Sequence, residues 1–538
     1  MSRFRVPPDL KVGPTIAFFL VGLLLLGARG SGQTAGSSRV VQRSSLPAID
    51  RGVIVGDGRT PGGVQTRALR TLASDARTID RVGAGRGRYL PGRVIVRFRG
   101  TPTAAAKARA VLEASRSGSL STRPSNVDFD EVRIDSGEDA EAVARALGRR
   151  ADIEYAQVAY RVEPRLVPND PLYAQLQWNF PQIDLERGWD IQRGADSSLI
   201  VAVLDTGMAY RDAMVQFRGF PFTLDGVVYP ALGLVDIPFA RATDLAAPGA
   251  AGDRRFVLPR DFIWGDNEPI DLDGHGTHVT GTIGELTNNS AGVAGIAFNA
   301  SLMPVKVVST TWDDIFGSPN EGTDETVAQG IRYAADNGAK ILNMSIGRAG
   351  DAGSAPAVEA AIRYAVGKGC FVVIAGGNGF EDGNQLEVYA EIASRVDGAV
   401  SVAATDRNRR RAFYSTTGSW VELAAPGGSS VGFGASGVVF QQTYDFSLTD
   451  TFSLPPAAFK APRFDALAIV GLQGTSMATP HVAGLAALLM RQGYTKPAAI
   501  EAALEKFATD LGPAGRDNEF GFGEISARAT LRGLGLAK

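Results

Sequence analysis

The stretch "GTSMATPHVAG", Gly474 to Gly484, sets Ser476 in a small-residue turn that opens onto the apolar helical run "PHVAGLAALLMRQ". Free N–H groups and the helix dipole favour negative charge at such a terminus, so an alkoxide or tetrahedral oxyanion formed there is stabilised. The plainer alternative is that Ser476 or Thr475 only caps the helix. An activated serine needs a base, and the chain has just three histidines, His275, His278 and His481. His481 follows Ser476 by about 500° of helical rotation, which leaves it roughly 140° away around the axis. It reads as a packing residue on the far side, leaving His275 or His278 as the base.

Other reactive groups sit at the ends of apolar runs. "VAVLDTG" ends a strand on Asp205, where a buried carboxylate can hold an imidazole in one tautomer. Asp-Thr-Gly also belongs to aspartic proteases, which need two such carboxylates. The second copy, Asp135-Ser136-Gly137, lies in a different module, and the surrounding pattern is α/β. "DGHGTHVTG" carries His275 and His278, but no helical His-Glu-x-x-His is present to suggest zinc. "FVVIAGGNG" brings Asn378, bracketed by glycines, to a strand end where its amide can donate to a developing oxyanion.

These residues need a scaffold. "SLIVAVLD", "SLMPVKVV", "AKILNMS", "CFVVIA" and "GAVSVAA" are short apolar runs suited to strands buried on both faces of a parallel sheet. Between them, "DETVAQGIRYAADNG" and "APAVEAAIRYAVGKG" have helical spacing and end on glycines fit for a C-cap. The alternation predicts an α/β fold, a doubly wound, mainly parallel sheet with helices on both faces, over residues 166–538. Reactive groups gather at the carboxyl ends of such strands. A smaller α+β module is expected over 88–165, from "YLPGRVIVRF", "AAAKARAVLEAS", "FDEVRI", "DAEAVARALGRR" and "IEYAQVAYRVEP". Residues 31–87, rich in Gly, Ser, Arg and Thr, read as a low-complexity linker. Residues 1–30 read as a signal peptide: Arg3, Arg5 and Lys11 precede an apolar run from Ile16 to Leu26, then Ala28-Arg29-Gly30. That run is too short to predict a stable membrane anchor.

A chain of 538 residues with 44% hydrophobic and 21% charged residues can bury a large core. Its net charge of −2 gives no basis for nucleic acid or anionic membranes as partners. The lone Cys370 excludes an intrachain disulfide and lies in the apolar "GCFVVIAGG", where it reads as core.

Together, "VAVLDTG", "DGHGTHVTG", "ILNMSIG", "VVIAGGNG" and "GTSMATPHVAG" resemble, in that order, the motifs of the subtilisin-like serine proteases, the subtilases of peptidase family S8. The resemblance runs from "PNDPLYAQLQWNF" to "GFGEISARATL". It implies that Asp205 orients the imidazole, His275 is the base and Ser476 attacks the scissile carbonyl. Asn378 and the Ser476 N–H would form the oxyanion hole. It implies protein or peptide substrates, export to the periplasm or medium, and a module at 88–165 acting as a self-cleaved propeptide and intramolecular inhibitor. Ser345, Ile346 and Gly347, with Ala375, Gly376 and Gly377, match walls of the first specificity pocket. With no acid among them, a bulky apolar residue before the cut is expected. Arg348 stands where relatives often have glycine. "LTNNSAGVAG" resembles a calcium loop, with the Asn289 side chain and the carbonyls of Thr287, Ala291 and Val293 as ligands. Asp212 is the nearest acid to the one that such a loop needs after the first motif. The chemistry itself needs no cofactor. About seventy residues part Asp205 from His275, and about forty-five part "AAPGG" from "GTSM". Both insertions read as surface loops of unreadable content.

Three rivals are weaker. A related acid-acting peptidase class replaces the histidine base with glutamate, and His275 stands against it. An inactive subtilase used for binding would have lost a triad member. A non-peptidase acyl hydrolase would carry Gly-x-Ser-x-Gly.

Overall fold

The computed structural model describes residues 89–121, 126–160, 166–246, 254–350 and 355–533, with the backbone of two short strands, Arg39–Val40 and Ile54–Val55. The 1–30 segment read as a signal peptide lies outside the described residues, and so does most of 31–87. The two short strands in that stretch pair with sheet edges, Arg39–Val40 parallel to Phe222–Thr223 and Ile54–Val55 antiparallel to Val470–Ile469. Among the described residues no helix is long and apolar enough to cross a membrane.

The chain divides into two units. The smaller holds an antiparallel sheet in the order Ser119–Leu120, Asp130–Arg133, Tyr89–Phe98, Ile153–Tyr160. Helices Ala104–Ala114 and Ala140–Gly148 are capped by Thr103 and Asp139, whose side chains accept from first-turn N–H groups. Val94, Val96, Val111, Val132, Leu147 and Val158 close its core.

The larger unit is built on a seven-stranded, all-parallel sheet. Its order is Arg260–Asp261, Ser301–Lys306, Ile200–Asp205, Ile341–Met344, Phe371–Ala375, Ala399–Thr405, Leu423–Pro426. Side chains alternate across the sheet, so one strand feeds two cores. Val201 and Val203 face the core shared with Leu485 and Leu488 of the Thr475–Arg491 helix. Ala202 and Leu204 face Ile331 and Ile362, from helices Asp324–Asp336 and Pro356–Gly367. Both of those helices end before glycines with positive φ, Gly338 and Gly369. Cys370 is buried in this second core and its thiol faces the Ala339 carbonyl at 3.1 Å.

The two insertions are structured. Ala213–Gly219 pairs with Gly233–Phe239, and Phe222–Leu224 with Val227–Tyr229 across Asp225-Gly226, a two-residue turn with both φ values positive. The second insertion forms the Val439–Tyr444 and Leu467–Leu472 hairpin. Aromatic rings join the two: Phe239 stacks on Phe464 at 5.1 Å, and Phe222 meets Phe459 edge-on at 5.3 Å.

A close backbone approach brings the first two reactive motifs together. Gly276, in the His275–Gly284 helix, lies against the Gly207 carbonyl, and a methyl group there would overlap it. Gly207 has φ +124°, and its own Cβ would stand 2.8 Å from the Asp271 backbone. Gly276→Ala is therefore expected to lower stability by about 1–3 kcal/mol through overpacking, read by urea unfolding. A variant as stable as wild type would mean that the two segments can separate freely.

Candidate active site

Asp205 ends its strand at the sheet's carboxyl edge, and the neighbouring Ile341–Met344 strand and the Phe371–Ala375 strand next to that deliver Ser345 and Asn378 to the same edge. The His275–Gly284 helix crosses that edge, and His275 Nδ1 lies 2.6 Å from Asp205 Oδ1 with both side chains buried. Asp205 Oδ1 also accepts from the Thr206 N–H at 2.8 Å. The other imidazole nitrogen, His275 Nε2, is buried with no hydrogen-bond partner among the described residues. Burial pulls the His275 pKa down. The charge and hydrogen bond of Asp205, helped by Asp273 and Asp271, outweigh it and hold the pKa above its ordinary value.

The other two histidines are structural. His278 Nε2 faces the Val470 carbonyl at 3.0 Å, and burial pulls its pKa to about 3. His481 Nδ1 donates to the Met477 carbonyl one turn back at 2.8 Å, while Nε2 accepts from Asn179 at 2.8 Å. Burial brings His481 to about 4. Both remain neutral near pH 7, and the expected packing role of His481 is what its partners give it.

Ser476 occupies the second position of its helix and is clamped by Ser345. Pro480 has no N–H, so the Ser476 carbonyl lacks its usual helical donor. Ser345 Oγ donates to that carbonyl at 2.8 Å, and Ser476 Oγ donates to the Ser345 carbonyl at 3.1 Å. Asn378 is half-buried, and its amide oxygen accepts from the Thr475 N–H at 2.8 Å and the Thr475 hydroxyl at 2.9 Å. This leaves the Asn378 Nδ2 beside Gly474 as a hydrogen-bond donor for a ligand.

Several supporting residues escape a reading by motif. Asp271 is fully buried; it accepts from the Thr206 hydroxyl at 3.0 Å, the Gly274 N–H at 2.9 Å, and the Thr277 N–H and hydroxyl at 3.0 and 2.6 Å. Thr206 Oγ1 in turn accepts from the Gly276 N–H at 3.0 Å. Asp271 thus satisfies the start of the histidine helix and ties it to the Asp205 turn. An acid just upstream of a helix start was the available signal. Thr475 orients Asn378 in the same way.

The six residues matched to the first specificity pocket fall on two neighbouring segments. Ser345 and Ile346 are buried, and Gly347 follows the Ile341–Met344 strand. Ala375, Gly376 and Gly377 end the adjacent strand, where the Thr416 N–H donates to the Gly377 carbonyl at 3.0 Å. Both Gly347 and Gly377 pack against Glu387.

Around the 285–293 loop, Asp212 is not the acid that approaches; its Oδ1 accepts from the Arg241 N–H instead. Asp244 and Asp170 do approach. Asn289 Nδ2 donates to Asp244 Oδ1 at 2.8 Å, and the Asn288 and Asn289 N–H groups donate to Asp170 at 2.7 and 3.3 Å. Burial pushes Asp244 up to about 7, and Asp170 adds to the rise.

Sequence comparison agrees with this architecture. The profile of the Subtilase family matches residues 196–523, and that of the Fervidolysin N-terminal prodomain matches residues 78–158. The thermophilic serine proteinase of Bacillus sp. strain AK1 is 30% identical over 442 residues, 82% of this chain and 88% of that protein. Thermitase of Thermoactinomyces vulgaris is 32% identical over 348 residues, 65% of this chain and 94% of thermitase. Among solved structures, proteases from Pseudoalteromonas arctica superpose with a TM-score of 0.50 and 27% identity, covering 69% of this chain and all of that one. The subtilisin-type parallel sheet, the extent of the match and the prodomain ahead of it make this chain a member of the subtilase family of serine endopeptidases.

Proposed function

We propose that this protein is an exported, self-processing endopeptidase in which Asp205, His275 and Ser476 form the catalytic triad. The observation that carries this reading is the buried Asp205–His275 hydrogen bond, which leaves His275 Nε2 without a partner. In the reactive arrangement the Ser476 hydroxyl leaves the Ser345 carbonyl and turns to Nε2. Such contacts are often loose before substrate binds. His275 takes the hydroxyl proton as Oγ attacks the scissile carbonyl, and gives it to the leaving amine. Water then repeats the sequence on the acyl-enzyme. Asp205 keeps the Nδ1–H tautomer and stabilises the imidazolium. The Ser476 N–H and Asn378 Nδ2 donate to the tetrahedral oxyanion.

The prodomain match supports a zymogen whose N-terminal unit folds with and inhibits the catalytic unit until cut away. The basic residues and apolar run of the first thirty positions support export.

Calcium fits the 285–293 loop. Asp170, Asp244 and Asn289 would supply side-chain oxygens, and the carbonyls of Thr287, Ala291 and Val293 would complete an all-oxygen set. A cation there would compensate the charge that burial disfavours on Asp244.

The first test sets wild type beside Ser476→Ala, following chain mass with time and labelling by a fluorescent phosphonate. Wild type is expected to shed roughly 160–175 residues and take the label, the span of the N-terminal segments plus the prodomain. Ser476→Ala stays whole and unlabelled, with kcat down about 10⁶-fold, a scale set by subtilisins themselves rather than by this geometry. Equal processing in both proteins would remove Ser476 from its role. The base must be neutral to act, and the His275 pKa lies above 6.5, so kcat/KM is expected to fall as pH drops through a value above 6.5. Asp205→Asn removes the raising charge, moving this limb to lower pH and cutting kcat about 10⁴-fold. An unmoved limb would assign it to another group. Chelation with EDTA is expected to lower Tm by roughly 5 °C, restored by calcium, with no response in Asp244→Ala. A Tm indifferent to both would dismiss the calcium site.

A further inference from the structure

The two walls matched to the pocket before the scissile bond meet over a carboxylate. Glu387 lies on the two-residue strand Leu386–Glu387, paired antiparallel with Ala349–Gly350. A methyl group on Gly377 would stand 3.3 Å from Glu387 Cβ, and one on Gly347 would overlap Glu387 Oε1. The side chain therefore runs from one wall to the other, and only the bare Cα of each glycine lets it pass. Gly377 immediately precedes Asn378, and Gly347 lies two residues beyond Ser345, whose carbonyl holds the Ser476 hydroxyl.

We propose that Glu387 forms the floor of this pocket and selects lysine or arginine as the residue before the cut. The proposal rests on the reading of the site given above and deepens it. It also replaces the bulky apolar preference expected from the six wall residues, because the acid comes from a seventh position.

The surroundings of Glu387 favour a cationic visitor. Glu387 is 6% exposed as a residue, and its carboxylate accepts from the backbone N–H of Arg348. Burial pushes its pKa up to about 7, against the lowering effect of the Arg348 and Tyr389 N–H groups and the Arg348 charge. The Arg348 guanidinium is itself engaged by Asp324 at 3.5 Å, and Asp324 also accepts from the Tyr389 hydroxyl at 2.5 Å. The negative charge on Glu387 is thus incompletely compensated. A lysine or arginine tip entering between the glycines supplies the missing charge where water is scarce, and charge-assisted hydrogen bonds are strongest there. A bulky apolar side chain would only desolvate the carboxylate further.

Peptide p-nitroanilides that differ only in Arg, Lys, Phe or Leu before the cut test this, with wild type and Glu387→Gln assayed at pH 8.5. Glutamine keeps an oxygen for the Arg348 N–H, so the wall geometry is retained. Wild type is expected to show higher kcat/KM for Arg and Lys than for Phe. In Glu387→Gln the Arg-to-Phe ratio falls about 10–100-fold. Between pH 8.5 and 6 the ratio falls in wild type and holds in the variant, since protonation of His275 slows both substrates alike. A wild type that takes the phosphonate label but prefers Phe or Leu overturns the proposal while leaving the triad reading intact. So does an equal loss on Arg and Phe in the variant, which would make Glu387 a purely structural tie. A protein that neither labels nor cleaves any substrate overturns the parent reading, and this one with it.

Discussion

A buried carboxylate against a buried imidazole is the constraint around which the larger unit is arranged. Asp205 and His275 lie seventy residues apart, and both are almost wholly excluded from solvent. An ion removed from water is costly unless held by a well-placed partner and further donors. Their contact therefore needs two rigid supports meeting at a fixed distance: a central strand that ends on Asp205 and a helix that begins on His275. Gly207 and Gly276 let the two backbones touch, while Thr206 and Asp271 lock the turn to the helix start. Each of these residues helps to fix the distance between the strand end and the helix start.

The same logic extends to Ser476. Pro480 deprives the Ser476 carbonyl of a helical donor, and Ser345 supplies one from a neighbouring strand end. The helix that carries Ser476 and the sheet are thereby joined at Ser476 itself. Thr475 fixes the amide oxygen of Asn378 and so decides which end of that side chain faces outward. The parallel sheet puts these groups on one edge, because every strand runs the same way and ends on the same side.

The insertions are compatible with so tight a centre because they fold on each other. Phe222, Phe239, Phe459 and Phe464 pack rings between the two insertions, which adds apolar contact to both. Loops of this size cost little entropy beyond that of shorter ones once they carry their own packing.

Much of the protein was legible in its residues. Apolar runs without polar alternation marked doubly buried strands, glycines at 338 and 369 marked helix ends, and small residues around Asp205, His275, Asn378 and Ser476 marked the reactive edge. Helical rotation alone put His481 on the far side of its helix, where Asn179 and Met477 hold it. What stayed hidden were the supporting residues whose partners lie on another segment. Between His275 and His278, motif resemblance pointed to the first, and the contact with Asp205 exists only across the fold. Asp244 meets Asn289 and Val293 only across the fold, since 45 and 49 residues separate them in the chain. Glu387 carried no local signal at all, since a lone glutamate before an apolar helix reads as surface. Local order depends on interactions between near neighbours, which a sequence records directly. The company a side chain keeps across a sheet edge depends on which distant strands pack together, and that only the tertiary structure decides.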